Sequence, residues 1–371
     1  MMIPASPVQQ ACLIRLEAER EALREFRASG GKVMGYLCQA FPPAVAAGLG
    51  FWPVRVLEDA STELEDAGGA VIRPDVCPLI KVLLGSAGTG SLACSVDTWA
   101  GLATCDQTRR CFSILPEVLE TVVHGLQLPS TRTAEAEERY SASMEDFCRQ
   151  VVAAGDSKGY DEGRAKSFAL AMHQAGEILA DAVTSGALSP LDIHWMLHLF
   201  HTTRPDGLAD FFREIIAVSG GYPHSRTVAV AGSSIPFNDT ILLQSLQDAG
   251  VSVLPLYCSG LQALPYRGLN RPTESYDPGS LAAEAFRSVR CARSRPNDGM
   301  FDYVESSVRE SRAAGLIVRT MKFCDLWFTE RVRFREKSSV PVLVMDVSFS
   351  TGEAERQVNR IEAFLETLAL A

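Results

Sequence analysis

Short, nearly apolar runs recur along this 371-residue chain, each followed by a stretch with helical periodicity, and this alternation constrains the fold most. Residues 32–38 (KVMGYLC), 53–58 (PVRVLE) and 95–105 (SVDTWAGLATC) read as strands, with short helices expected over 42–50 and 77–85. The pattern resumes later, with strands expected over 227–234, 251–258, 316–324 and 341–349. Helices are expected over 238–250 and 302–315, and a closing one over 352–371. Strand–helix repeats of this kind fold as parallel α/β layers.

Between the two blocks, from about 134 to 217, the periodicity is helical with no clear strand, and 219–226 (SGGYPHSR) reads as a linker. The length exceeds a usual single domain. The expected architecture is therefore two α/β parallel-sheet domains with a helical insert between them. The boundaries are 1–133, opened by an amphipathic helix over 8–29, then 134–222, then 223–371. The two α/β blocks share one plan, although no direct sequence repeat joins them.

A net charge of −10 argues against a nucleic-acid binder, which normally carries a basic face. No apolar stretch is long enough to span a bilayer. The first twenty residues lack the basic and apolar regions of a signal peptide, so a cytoplasmic location is expected. A reducing compartment disfavours disulfides, which makes the ten cysteines the most informative residues. None forms a CxxC or zinc-ribbon spacing, so any metal site must draw on distant segments.

Two apolar runs stop on the same pair, Cys105-Asp106 in LATCDQTRR and Cys324-Asp325 in MKFCDLWF. Cys258 also ends a strand, and Cys77 precedes Pro78 at a helix start. In parallel α/β sheets, ligand sites lie beyond the carboxyl ends of the strands. Two readings follow. Cysteine is a small, readily buried hydrophobe; alternatively, thiolates from opposite halves converge on a cleft and suit an iron–sulfur cluster or zinc.

Other signals are weaker. GSAGTGS (85–91) lacks the Lys-Ser/Thr ending of a phosphate loop and reads as a plain loop. His194, His198 and His201 share a helical face, but the apolar residues between them favour an ordinary packed helix. Arg109 and Arg110 either meet phosphates or pair with Asp106. Asp106 and Asp325 suit a supporting role at helix starts beside their cysteines. Cys12 and Cys148 fall within amphipathic helices and read as structural.

Five segments carry a resemblance: GKVMGYLCQAFPPAVAAGLGFWPVRV, DVCPLIKVLLG, DTWAGLATCDQTRR, GLIVRTMKFCD and PVLVMDVSFSTGEAERQVNRIEAFLE. In this order they resemble successive motifs of the 2-hydroxyacyl-CoA dehydratase and benzoyl-CoA reductase superfamily. The resemblance implies two Rossmann-like parallel-sheet domains facing a cleft and a [4Fe–4S] cluster between them, held by Cys77, Cys105 and Cys324, with one iron left open to a non-cysteine ligand or substrate. It also implies a low-potential electron from an ATP-dependent iron–sulfur activator protein, an acyl-CoA-type substrate, and a homo- or heterodimer. In the dehydratase version a ketyl radical anion of the thioester expels the hydroxyl group, and the electron is then returned.

CPLIK, YCSG and RCARSRPND also resemble the double-cubane cluster proteins of that superfamily, which reduce small molecules. That branch implies an [8Fe–9S] group and further thiolates, for which Cys38, Cys94, Cys258 and Cys291 are the candidates. Ser233 stands where that branch tends to have a cysteine, which weighs against a complete second cubane. Pro42-Pro43-Ala44 stands where the superfamily commonly has Pro-Glu-Glu, which weighs against a standard dehydratase. The alternatives carried forward are a double-cubane reductase and a non-catalytic electron-transfer subunit.

Overall fold

Two four-stranded parallel sheets frame the computed structural model, which describes residues 5–57, 59–261 and 275–370. The first contains β1 (Val33–Tyr36), β2 (Trp52–Arg55), β3 (Thr98–Ala103) and β4 (Val122–Gln127), in the order β2-β1-β3-β4. The second contains β5 (Arg226–Gly232), β6 (Val251–Tyr257), β7 (Gly315–Met321) and β8 (Val342–Val347), in the order β6-β5-β7-β8. The two halves are thus wound alike. Each reverses direction between its first and third strands, at β1/β3 and β5/β7, where doubly wound folds open a ligand crevice.

β6 and β7 are buried at all seven positions, as strands covered on both faces must be. Arg319 in β7 is the charged residue among them and forms an ion pair with Asp239 inside the core. At the end of β5, Gly232 has φ +122°, and a Cβ there would come within 1.9 Å of Arg319 O. Only glycine lets these two strands approach at the crossover.

The 371-residue chain carries several elements beyond those expected. The helices Thr62–Val71, Asp106–Leu119, Pro278–Ser288 and Arg331–Lys337 and the strand β4 had no counterpart in the sequence reading. β4 alternates buried and exposed residues and pairs only with β3, so it lacks the apolar run that marks the central strands. The helix Asp106–Leu119 opens on the polar stretch DQTRR and contains Pro116, which masks its periodicity.

The helices Ala134–Ala153, Glu162–Thr184, Pro190–Thr202 and Leu208–Ala217 lie between the sheets in chain order. One core runs from Val33 and Trp99 through Trp195 and Phe200 to Val228 and Ile317, joining both sheets through Pro190–Thr202. A second core covers the other face of the first sheet, with Met34, Phe41, Leu102 and Phe147 against Leu281 and Phe286. Residues 276–295, between β6 and β7, therefore pack on the first half. That crossing carries Cys291 toward the ends of β1 and β3.

Candidate functional site

Residues following seven of the strands, β1 through β7, line one cavity of about 350 Å³ at the carboxyl ends of both sheets. Cys38, Cys77, Cys105, Cys258, Cys291 and Cys324 are all on its wall. Cys94 is not on that wall; its thiol meets Ser91 Oγ at 3.5 Å and the carbonyl of Ser86 at 3.5 Å. Ser233 does line the cavity, and its hydroxyl bonds to Cys324. Cys12, Cys111 and Cys148 lie within helices and are buried.

Backbone N–H groups hold the first three thiols. Cys105 follows β3 and caps the helix Asp106–Leu119: Thr108 N donates to its sulfur at 3.4 Å, and Cys105 N donates to Thr108 Oγ1 at 3.0 Å. This is the reciprocal capping arrangement with sulfur in place of the usual oxygen, and it turns the positive end of a helix toward the thiol. Cys77 caps the helix Pro78–Gly85 and faces the backbone N–H groups of Leu79 and Ile80. That helix is seated tightly, since a Cβ on Gly68 of the neighbouring helix would lie 1.8 Å from Lys81 O. Cys324 follows β7 and accepts from Trp327 N. The residue before it, Phe323, is left-handed at φ 63°, a costly conformation for a bulky side chain, and the turn aims Cys324 into the cavity.

The other three thiols arrive differently. Cys38 follows β1 and accepts from Ala40 N at 3.4 Å. Cys258 follows β6, and its carbonyl accepts from Arg55 Nη2 at 3.0 Å. Cys291 comes with the crossing segment, which is pinned by Arg295 N to Ser130 O at 2.7 Å and Arg132 N to Arg295 O at 3.2 Å. Sequence reasoning missed Arg55, Arg132 and Arg293, which also line the cavity. The available signal was a charged residue inside the apolar run PVRV and the basic residues of RCARSR.

Burial is the main influence on Cys38, Cys77, Cys258, Cys291 and Cys324 and holds the protons on them. It pushes Cys291 up to about 11 and raises Cys38, Cys77, Cys258 and Cys324, with neighbouring cavity cysteines adding to the effect. Any cation that binds must displace those protons. Among the described residues, no group of three or more His, Cys, Asp or Glu is arranged around a single metal-ion position. The thiols instead surround a volume. A donor set of six sulfurs fits a polynuclear iron–sulfur group, whose own bulk separates its ligands.

Residues 38–368 match the family described as 2-hydroxyglutaryl-CoA dehydratase, D-component. The chain belongs to that family. The match begins at Cys38 and spans all six cavity cysteines, so this D-component-family chain carries its whole thiol set within the shared region. No individually curated protein matches it.

The remaining sequence candidates have partners of their own. His194 Nε2 meets Phe237 O at 2.7 Å, His198 stacks on the Phe237 ring at 4.0 Å, and His201 Nε2 meets Ser259 O at 2.9 Å. Burial lowers all three pKa values, and His198 falls to about 3, so they are neutral packing residues. Arg110 pairs with Asp106 at 3.0 Å on the surface, and Arg109 at 3.8 Å. Pro42-Pro43-Ala44 walls a smaller cavity of about 70 Å³ beside the thiol site. Its lining carboxylate, Glu284, is tied to Arg287 at 3.0 Å. No described helix is long and apolar enough to cross a membrane.

Proposed function

We propose that the chain is an iron–sulfur redox component in which Cys77, Cys105 and Cys324 hold one cubane and Cys38, Cys258 and Cys291 a second, together an [8Fe–9S] double-cubane group. The observation that supports this reading is the presence of six cysteines on one cavity wall. Such a group supplies low-potential electrons when bound. The protein's own part is to present six thiols, release their protons on loading, and exclude water with Leu79, Ile80, Leu83, Phe286 and Val289. A cavity of about 350 Å³ is at the low end for a drug-sized ligand, so any substrate that shares it with the cluster has to be small. The electrons come from an ATP-dependent activator protein in this reading, and the reaction is reduction of that small molecule.

The family description favours a second reading, a one-cubane dehydratase-type component acting on an acyl-CoA-type substrate. There Cys77, Cys105 and Cys324 alone are ligands, and the chain works as a dimer with a like or unlike subunit. Against it stands the apolar Pro42-Pro43-Ala44, which brings no carboxylate for proton transfer. Counting iron and sulfide on anaerobically reconstituted protein separates the readings. About eight irons per chain support the double cubane, about four support the single cubane, and none overturns both.

A further inference from the structure

Arg55 ends β2 and is 2% exposed. Its donors go to neutral acceptors: Leu37 O at 3.1 Å, Cys258 O at 3.0 Å and Ser234 Oγ at 3.5 Å. His201 faces it, but burial keeps that ring neutral. Among the described residues no carboxylate lies within ion-pair distance of Arg55. The protein treats its other buried cations differently, because Arg319 has Asp239 and Lys81 has Glu65 at 3.8 Å. A buried guanidinium without an anion is costly, so its counter-charge has to come from something else.

Arg293, part-buried, lines the same cavity and is held in a similar way. It donates to Pro129 O at 2.8 Å and to Leu128 O, and no described carboxylate pairs with it either. The carboxylates on the cavity wall are Asp106, engaged with Arg109 and Arg110, and Asp325. Arg55 lies beside Cys38 and Cys258, and Arg293 beside Cys38 and Cys291, each favouring the thiolate. Of the other three cysteines, Cys105 alone feels one of the two guanidiniums, that of Arg293. Cys77 and Cys324 meet backbone N–H groups but neither guanidinium, whereas Cys38 and Cys291 have a backbone N–H group and a guanidinium together.

We propose that Arg55 and Arg293 are fixed counter-cations for an anionic occupant on the Cys38, Cys258 and Cys291 side of the cavity. Carbonyl groups orient both guanidiniums while leaving their charge unspent. Around Cys77 and Cys324, backbone N–H groups act without either guanidinium. The nature of the occupant rests on the iron–sulfur reading above, but the charge assignment does not.

The test compares Arg55→Met, Arg55→Lys and Arg293→Met in iron-free protein kept under nitrogen. Iodoacetamide labelling at one fixed pH is followed by mass spectrometry, with Cys77 as the internal reference. In Arg55→Met, labelling of Cys38 and Cys258 relative to Cys77 should slow by about three- to tenfold, while Arg55→Lys stays near wild type. Arg293→Met should slow Cys291 in the same way, and it decides the matter if Arg55→Met does not fold. Unchanged ratios in the Met variants, or equal losses in Met and Lys, overturn the assignment. On reconstitution, each Met variant should also lose about half of the wild-type iron. A wild type that never takes up iron overturns the iron–sulfur reading and leaves the labelling ratio to judge the arginines.

Discussion

Cys105 and Cys324 occupy the same topological position in two sheets of the same winding. Each follows the third strand of its half, β3 or β7, which pairs directly with the first strand of that sheet. Each also opens a helical turn with an aspartate at its first residue, and both sulfurs face one cavity. The equivalence extends to the neighbouring position: Cys38 follows β1, and Ser233 follows β5. The half that has serine there obtains its further thiol from Cys258, after β6.

Replacing Cys105 distinguishes its two tasks. As a helix cap, its loss to Ala should cost about 0.5–2 kcal/mol in a denaturant titration of iron-free protein. Cys105→Ser keeps an oxygen acceptor for Thr108 N and should retain most of that stability. Both variants should lose iron on anaerobic reconstitution, because a hydroxyl is a poor substitute for a thiolate ligand. Wild-type iron content in Cys105→Ser would remove this residue from the ligand set.

The buried pair of Arg319 and Asp239 gives a stability prediction independent of any cofactor. Asp239→Ala leaves a guanidinium that is 1% exposed without its anion. The expected loss is about 3–5 kcal/mol, measured by chemical denaturation. Arg319→Met combined with Asp239→Leu should recover much of that loss, since well-packed apolar residues often replace a buried ion pair without penalty.

Much of this architecture was legible because the central strands are continuous apolar runs. TVAVAG and LIVRTM can only be buried on both faces, and their alternation with helices leaves a parallel sheet as the consistent outcome. β4 was hidden because an edge strand keeps polar residues such as Gln127 on its open face. The cysteines at strand ends announced a site, yet Cys38, Cys258 and Cys291 could not be ranked against Cys94. Their grouping depends on the segment after Pro278–Ser288 crossing to the first half, a tertiary event with no local signature. Arg55 was passed over because a charge in a short strand reads as an exposed edge, whereas here it faces inward.

The helix-buried thiols predict the alkaline behaviour of the fold. Burial pushes Cys12 and Cys148 up to about 12, above the roughly 8.5 of a free thiol. The folded state therefore holds these protons more tightly than the unfolded chain does. This stabilisation is complete below about pH 8.5 and is lost as the pH rises toward 12, because only the unfolded chain releases its protons. Between pH 9.5 and 11, each thiol should contribute a fall of about 1.4 kcal/mol per pH unit. Cys12→Ala and Cys148→Ala should each flatten the measured slope by about that amount, whatever their effect at neutral pH.

Cys94 and Cys258 provide the sharpest test of how many thiols the cavity uses. Both carry intermediate exposure, and both were candidates from the sequence, but only Cys258 reaches the cavity wall. Cys94→Ser disturbs contacts to Ser91 and Ser86 and leaves the cavity wall as it is, so iron per chain should equal wild type. Cys258→Ser removes one sulfur of the second trio while leaving Cys77, Cys105 and Cys324 intact. Iron should then fall from about eight to about four per chain, with the remaining cluster still reducible by dithionite. Equal iron in wild type and Cys258→Ser would confine the ligands to the first trio and leave the one-cubane dehydratase reading in place.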